Sequence, residues 1–444
     1  MLLTVSALVA LSATPGEVAR GVAAQIVSHG DHFFPADHYG SALLFQGFFE
    51  CEAAIFDHTS ADDDAAVAGF LPVLGARLDA IAAQDGTGAY DVLHNRSVRD
   101  FGMAIGDTKG LMPLAYLERA AFYSSAAASG ASGSSWKYSN ATDVTIAAGG
   151  ARAFILAWPQ HLDDANSSSS SSGSGISNGT IARRYGGALG WGLEPRYLWC
   201  DDMYMGLALL ARLATLQPAA AEWQGALRWA AAQLLQLSGY LAGGRDGAEG
   251  LFAHGYDSKG GAAGAGAQSC CAWGRANGWV LMAHVALLEA FDAVRGADAR
   301  AIDRPLMAAL LSRFRSHAAA MAAVQEPTDG RWHQVLDANS TFLETSATAM
   351  ATFALATGLR RGWLDGASFR GCVDLAWLGL SRAISDDGKV EGICSGCGIK
   401  NDVAGYDTCG TAFLTSGNGG LGAVLRAAAA MQLLLEQRAT KAVL

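Results

Sequence analysis

Helical periodicity runs through most of this chain of 444 residues. Apolar residues, chiefly Ala, Leu and Met, recur at three- and four-residue spacing, and the alternation of β-branched residues typical of strands is scarce. The pattern predicts twelve helices, with boundaries good to a few residues. They cover 16–29, 39–57, 64–84, 109–125, 144–157, 202–216, 219–240, 272–296, 303–324, 342–360, 366–384 and 411–437.

Six helical hairpins closed into a ring of two concentric layers would bury the apolar stripe of every helix. No fixed-period repeat is visible, which argues against an open solenoid. The Ser-rich stretches 124–135 and 167–177 are low in complexity and are interpreted as surface insertions. We therefore predict an all-α (α/α)6 toroid, a single domain over 16–444. A linker between two domains is the alternative for the Ser-rich stretches.

The net charge of −10 and the lack of any basic run argue against a nucleic-acid partner. No apolar stretch reaches the roughly 20 residues of a membrane helix. Residues 1–15 have an apolar centre without the usual positive start, so they are either a signal peptide or the beginning of the first helix. Eight Cys and five N-x-S/T sequons favour secretion over a cytoplasmic location. The sequons are at Asn95, Asn140, Asn166, Asn178 and Asn339.

The segment LWCDDMYMGLALLARL places two adjacent carboxylates between aromatic rings at the start of a strongly apolar helix. One of them has a structural role available as the helix N-cap. The helix N-terminus favours the ionised form. Desolvation by Trp199 and Tyr204, together with a bound anionic sugar, favours the protonated form that a general acid needs. We predict that Asp201 is this acid and that Asp202 is the cap.

The segment CAWGRANGWV places Arg275 and Trp279 four residues apart, on one face of a helix. An aromatic ring packs against sugar C–H groups and a guanidinium binds a carboxylate in bidentate fashion, so the pair suits a uronic acid. Trp273 and Asn277 form a second pair with the same spacing on a neighbouring face and are, like Trp199 and Tyr204, candidate substrate-binding residues. The alternative is that both Trp fill the core and that Arg275 makes an ion pair.

Three loops supply further candidates. His254 lies in the Gly-flanked stretch GLFAHGYD and is either a substrate ligand or a structural residue. Asp107 stands directly before a predicted helix and is either an N-cap or a second cleft carboxylate that orients water. His333 in the stretch GRWHQ is a candidate substrate-binding residue, whereas Glu344 is predicted to help cap the helix that follows it.

The cysteines do not predict a metal centre. Cys394, Cys397 and Cys409 have half the spacing of a zinc site, but a structural site needs four ligands and no His occurs in the last quarter of the chain. We therefore predict no metal and no cofactor. A disulfide within this loop is expected if the protein is exported. For the adjacent Cys270 and Cys271 the sequence offers no account.

Six blocks of the sequence, in order IGDTKGL, NGTIAR, LWCDDMYM, GLFAHGYD, WGRANGW and FLETSATAM, resemble those of a known enzyme group. This group is the unsaturated glucuronyl and rhamnogalacturonyl hydrolases, glycoside hydrolase families 88 and 105. The resemblance spans roughly residues 90–430. The residues of the WGRANGW block are closer to those of the rhamnogalacturonyl branch. It implies an (α/α)6 barrel that acts on the terminal Δ4,5-unsaturated uronic acid of an oligosaccharide left by a polysaccharide lyase.

The chemistry implied by the resemblance differs from that of ordinary glycosidases, which use two carboxylates at the glycosidic bond. One Asp protonates C4 of the enol ether, water adds at C5, and the resulting hemiketal opens to release the neighbouring sugar. The resemblance implies that Asp201 is the proton donor and Asp107 the second family aspartate. It also implies that His254, Arg275 and Trp279 bind the substrate.

Region 185–197 departs from the family because it lacks the His that members often place before the catalytic Asp, so Arg196 or Trp191 is the candidate replacement. Two other functions remain as alternatives. The toroid could act on saturated glycans or epimerise a sugar, which would need a second cleft carboxylate at glycosidase spacing or paired His. It could also bind glycans without turnover.

Overall fold

The helices of this computed structural model follow the apolar periodicity of the sequence. The structure describes residues 12–28, 39–55, 76, 78, 114–121, 144, 147–148, 151, 180–183, 187–189, 196–243, 250–260, 266–411 and 420–443. Helices α1 to α11 are Pro15–Ser28, Tyr39–Ala54, Asp202–Met205, Leu207–Leu216, Ala221–Leu241, Gly274–Ala297, Arg304–Ala323, Thr345–Arg361, Gly366–Arg382, Val403–Asp407 and Gly420–Val443. Strands β1 to β5 are Tyr197–Trp199, Gly255–Asp257, Ala267–Gln268, Trp332–His333 and Leu343–Glu344. Residues 114–121 are also helical.

The long helices pack in two layers. In the inner layer α2, α11, α8, α6 and α4 follow one another, each packed against the next. In the outer layer α1 packs on α11, α5 on α4, α7 on α6 and α9 on α8. The pairs α4–α5, α6–α7 and α8–α9 are consecutive in the chain, so each is a helical hairpin with one inner and one outer helix. An apolar cluster that extends from Val18 to Leu434 fills the space between the layers.

Burial distinguishes inner from outer helices. Every residue of α8 from Thr345 to Gly358 is buried, because other helices surround it. Helix α7 buries only one stripe, at three- and four-residue spacing, which is typical of a helix with one face towards a core. The stripe consists of Leu310, Phe314, His317, Ala318 and Met321. The apolar pattern therefore predicts the layer as well as the helix.

The first and last inner helices, α2 and α11, are in close contact at two glycines. A Cβ atom added to Gly422 would collide with the backbone of Leu43, and one added to Gly47 would lie 2.7 Å from the carbonyl oxygen of Gly422. Next to this contact, Arg426 of α11 holds the carboxylate of Glu50 of α2 with Nε–Oε2 and Nη2–Oε1 distances of 2.9 and 2.8 Å. Burial raises the pKa of Glu50, and the Arg426 charge opposes this shift.

Most predicted helices are confirmed, with ends shifted by a few residues. The predicted helix 202–216 is interrupted at Gly206, which separates α3 from α4. The predicted helix 411–437 begins too early, because Thr411 pairs with Cys394 in a β-bridge, and α11 covers Gly420–Val443. The Ser-rich stretches and most of the predicted helices 64–84 and 144–157 lie outside the described residues.

The predicted N-terminal segment 1–15 also lies largely outside the described residues, although Pro15 begins α1. Among the helices that the structure describes, none is long and apolar enough to span a membrane. The short strands β1 to β5 were not predicted, since two or three residues are too few to show alternation.

The glycine contact between α2 and α11 yields a stability prediction. Helix propensity alone predicts that Ala in place of Gly422 stabilises α11 by about 1 kcal/mol. Because the added methyl group meets the backbone of Leu43, we expect Gly422→Ala to lower the free energy of unfolding by about 1–3 kcal/mol. Urea denaturation followed by circular dichroism would measure the change.

The matched control is Gly371→Ala. Gly371 lies inside α9, is exposed and has open space where a Cβ would be placed. Its replacement is expected to raise the free energy of unfolding by about 0.4–1 kcal/mol. Stabilisation by both substitutions would show that α2 and α11 are not in backbone contact at Gly422.

Candidate active site

Two short antiparallel strands bring Asp201 next to His254. Trp199, the last residue of β1, pairs with Gly255, the first residue of β2. The pairing continues beyond the strand, where the backbone N–H of Cys200 donates to the carbonyl oxygen of His254 over 2.9 Å. Asp201 follows directly, so the register of the strands places its side chain beside the imidazole ring.

Asp201 stands at the N-cap position of α3, but its side chain accepts no capping hydrogen bond. The side chain is 10% exposed, while its Oδ2 atom is buried and lies 3.2 Å from Nε2 of His254. This approach has a hydrogen-bonding distance but poor alignment. Asp201 therefore does not act as a capping residue. The exposed surface of its side chain lies on atoms other than Oδ2.

Asp202 has a different environment from its neighbour. It lies in the first turn of α3, and its buried carboxylate forms an ion pair with Arg183, whose Nε atom donates to Oδ2 over 2.8 Å. The same guanidinium lies 5.0 Å from the ring centroid of Trp199. Asp202 is therefore structural, as predicted, but through an ion pair with Arg183 and not through the expected cap.

His254 is fully buried in a group of aromatic rings. Its ring centroid lies 5.3 Å from that of Trp199 in an edge contact and 4.5 Å from that of Trp273 in a tilted contact. The indole Nε1 of Trp273 is buried and has no hydrogen-bond partner among the described residues. Trp273 also occupies the N-cap position of α6, a helix of 24 residues, without a capping side-chain hydrogen bond.

Sequence reasoning missed Tyr406, which completes this group. Its hydroxyl lies 2.8 Å from Nδ1 of His254 and accepts a hydrogen bond from the backbone N–H of Lys400 over 3.3 Å. Burial raises the pKa of Tyr406 above its ordinary value, and the hydrogen bond from Lys400 opposes this shift. No sequence signal links positions 254 and 406. The nearest clue is the group of cysteines in this loop, of which Cys397 and Cys409 form a disulfide around the segment.

Arg275 and Trp279 lie in the protein interior. Arg275 is fully buried, donates from Nε to Ser346 Oγ over 2.8 Å, and has Nη2 3.6 Å from Oε1 of Glu344. Trp279 is buried and stacks on Tyr204 with ring centroids 5.1 Å apart. These contacts match the structural alternative that the sequence left open, in which Trp279 fills the core and Arg275 makes an ion pair.

Tyr204 and Asn277 are also occupied by protein partners. The hydroxyl of Tyr204 donates to Gln46 over 3.1 Å and accepts from Arg426 over 2.7 Å, so it belongs to the contact between α2 and α11. The amide of Asn277 makes four hydrogen bonds with protein groups, and its role in substrate binding stays a prediction. Its partners are Phe252 N and O, Trp273 O and His317 Nε2.

The remaining candidates are distributed around the same end of the inner helices or lie outside the described residues. His333 is half-buried in β4, and its Nδ1 donates to the carbonyl oxygen of Thr341 over 2.6 Å. Glu344 caps α8 by accepting from two backbone N–H groups, which confirms its predicted role. Arg196 pairs with Asp257 and is thus not a free replacement for a missing His.

Asp107 and Trp191 lie outside the described residues, so their predicted roles stay predictions. Cys270 and Cys271 form a disulfide between adjacent residues. Within the described part of the chain, no group of three or more His, Cys, Asp or Glu side chains is arranged to hold a metal ion.

Comparison with known proteins places this geometry in a family. Residues 177–434 match the model of Glycosyl Hydrolase Family 88. The chain belongs to this family. The matched range includes Asp201, His254 and Tyr406, and it confirms the family assignment predicted from the sequence blocks.

Two curated relatives are similar to part of the chain. The unsaturated 3S-rhamnoglycuronyl hydrolase of Alteromonas sp. (strain LOR) is 28% identical over 202 residues, which cover 45% of this chain and 44% of the relative. The unsaturated rhamnogalacturonyl hydrolase YesR of Bacillus subtilis (strain 168) is 23% identical over 215 residues, which cover 48% of this chain and 54% of the relative. The chain thus spans about half the length of the curated relatives it matches.

Solved structures share the fold. A possible member of the GH105 family from Salmonella enterica subsp. enterica serovar Paratyphi A superposes with a TM-score of 0.63 at 15% identity, over 98% of this chain and 96% of that chain. The predicted all-α toroid of six helical hairpins is confirmed as a single domain.

The disulfide around Tyr406 yields a further prediction. A covalent link that closes a loop of this length typically stabilises a protein by about 2–4 kcal/mol, because it restricts the unfolded chain. We expect the double substitution Cys397→Ser, Cys409→Ser to lower the free energy of unfolding by that amount, measured by urea denaturation.

The control substitution is Cys372→Ala, which removes a cysteine that forms no disulfide. It is expected to change the free energy of unfolding by less than about 1 kcal/mol. Equal stability of the double variant and the native protein under oxidising conditions would contradict the assigned pairing.

Proposed function

We propose that this protein is a glycoside hydrolase that releases a terminal Δ4,5-unsaturated uronic acid from oligosaccharides made by polysaccharide lyases. The observation that carries the proposal is the carboxyl group of Asp201. It stands at the start of the short helix α3 without capping it, it is mostly buried, and it approaches the imidazole of His254. Family membership supports the reaction class.

In the proposed reaction Asp201 gives its proton to C4 of the unsaturated ring. Water supplies the hydroxyl group that bonds to C5, and the proton lost by this water replaces the one given up by the protein. The hemiketal at C5 then opens and releases the neighbouring sugar. A proton donor aligned with the reacting carbon typically contributes a factor of about 10²–10⁴ to the rate.

The aromatic rings near Asp201 suit this reaction. Trp199 and Trp273 pack around His254 and keep water away from the buried Oδ2 atom of the acid. The indole N–H of Trp273 is a buried donor with no partner among the described residues, and we propose that it turns to a sugar hydroxyl or carboxylate when substrate binds. We assign substrate contact to Asp201 and Trp273, and a weaker contribution to substrate binding to the half-buried His333.

The names of the relatives guide the choice of substrate. One is a 3S-rhamnoglycuronyl hydrolase and the other a rhamnogalacturonyl hydrolase. We therefore propose that the sugar next to the unsaturated uronic acid is rhamnose, as in oligosaccharides left by rhamnogalacturonan or ulvan lyases.

The decisive experiment follows the ultraviolet absorbance of the C4=C5 bond in such oligosaccharides. The native protein is expected to remove this absorbance, and Asp201→Asn is expected to lower kcat by about 10²-fold or more, because an amide cannot donate the proton. Asp365→Asn is the control, since Asp365 caps α9 on the surface. Its kcat should stay within about twofold of the native value.

Two outcomes would overturn the proposal. If the native protein leaves every lyase product unchanged while it binds them, it is a glycan-binding toroid without this activity. If Asp201→Asn removes the absorbance as fast as the native protein, another group supplies the proton. Mass spectrometry of the products separates hydration from cleavage of a saturated bond.

A further inference from the structure

The proton on the imidazole of His254 decides how this residue acts on Asp201. A neutral histidine carries one N–H group, on either Nδ1 or Nε2. Nε2 faces Oδ2 of Asp201 over 3.2 Å, and neither atom has another partner among the described residues. With the proton on Nε2 the ring donates to the carboxyl group, and with the proton on Nδ1 it competes for the proton of Asp201.

The hydroxyl of Tyr406 determines which nitrogen is protonated. A backbone N–H can only donate, so the 3.3 Å contact with Lys400 makes the hydroxyl oxygen an acceptor there. The hydroxyl hydrogen must then find an acceptor of its own, and Nδ1 of His254 at 2.8 Å is the one that the described residues provide. Because burial raises the pKa of Tyr406, the hydroxyl keeps this hydrogen at working pH.

We propose that Tyr406 is a positioning residue that fixes His254 in its Nε2–H form, so that His254 donates a hydrogen bond to Oδ2 of Asp201. The proposal rests on the proton-donor role proposed for Asp201. As the acid gives up its proton, negative charge develops on the carboxylate, and the Nε2–H group stabilises it more in the transition state than in the ground state. The acidic proton is then carried by the oxygen that does not face His254.

Several contacts hold Tyr406 in the position that this role requires. Helix α10, which contains Tyr406, begins at a cap in which Asp402 accepts from the backbone N–H of Gly405 over 2.8 Å. The disulfide between Cys397 and Cys409 encloses the helix. Tyr406 itself is fully buried. The hydroxyl is therefore presented to His254 by a constrained segment.

A glycine lets this segment lie against the strand that follows His254. A Cβ atom added to Gly255 would collide with the side chain of Ile399. Ile399 also packs with Trp199 in a small apolar cluster. The segment that carries Tyr406 thus contacts both strands that bring Asp201 and His254 together.

The first test needs no substrate and no variant of Tyr406. Nitrogen-15 NMR of protein labelled at histidine distinguishes protonated from unprotonated ring nitrogens, and the signals of His254 are identified as those lost in His254→Asn. The native protein is expected to show a protonated Nε2 and an unprotonated Nδ1 that accepts a hydrogen bond. A protonated Nδ1 in the native protein would overturn the proposal.

The second test is Tyr406→Phe, which keeps the ring and removes the hydroxyl. We expect the Nδ1–H form of His254 to appear and kcat on the unsaturated oligosaccharide to fall by about 10–100-fold, the range found when a partner that orients a histidine is removed. KM should change by less than about twofold, because Tyr406 does not touch the substrate. A purely structural role would lower the amount of folded protein and leave the kcat of the folded fraction intact.

The matched control is Tyr116→Phe, which also removes a buried tyrosine hydroxyl, one that donates to the carbonyl oxygen of Leu78 over 3.1 Å. It should leave the His254 signals and kcat unchanged. If Tyr406→Phe keeps both the native signals and the native kcat, the positioning role is wrong. If the native signals are as expected but no unsaturated oligosaccharide is turned over, the positioning of His254 stands and the proposed function fails.

Discussion

The close approach of α2 and α11 is the contact on which the rest of the ring depends. Gly47 and Gly422 allow the two backbones to meet, and the ion pair between Glu50 and Arg426 lies beside them. A ring of helices has no free apolar edge once its first and last members touch, and each inner helix is then confined by two neighbours. This confinement fixes the start of α6, where Trp273 packs against His254 in the candidate active site.

The two adjacent aspartates at the start of α3 have different partners, Arg183 for Asp202 and His254 for Asp201. Asp202 is held by Arg183, a cation on a separate segment, and this ion pair anchors the first turn of α3. Asp201 projects in another direction, towards His254 and the aromatic rings around it. Because Asp202 carries the structural task, Asp201 is the carboxylate to which we assign the proposed proton transfer.

The sequence predicts the helices well because each helix must bury a stripe of apolar residues, and these residues recur at three- and four-residue spacing. It also predicts that Asp201 and His254 matter, since each lies in an unusual local setting. It fails where the answer depends on distant parts of the chain. Residues four apart share a helix face, but the spacing does not say whether this face meets the core or a cleft, and so it could not predict the protein partners of Arg275 and Asn277. Tyr406 reaches His254 from 152 positions away, through a segment with no motif.

The uncapped beginning of α6 has an electrostatic consequence for an acidic protein. The backbone dipoles of a long helix place about half a positive elementary charge at its N-terminus, and the side chain of Trp273 does not cap that end. The ring of Trp273 packs directly on His254, so this positive potential adjoins the pair formed by His254 and Asp201. A chain whose net charge of −10 repels anions at long range thus has a positive potential beside His254 and Asp201, which acts only over a few ångströms.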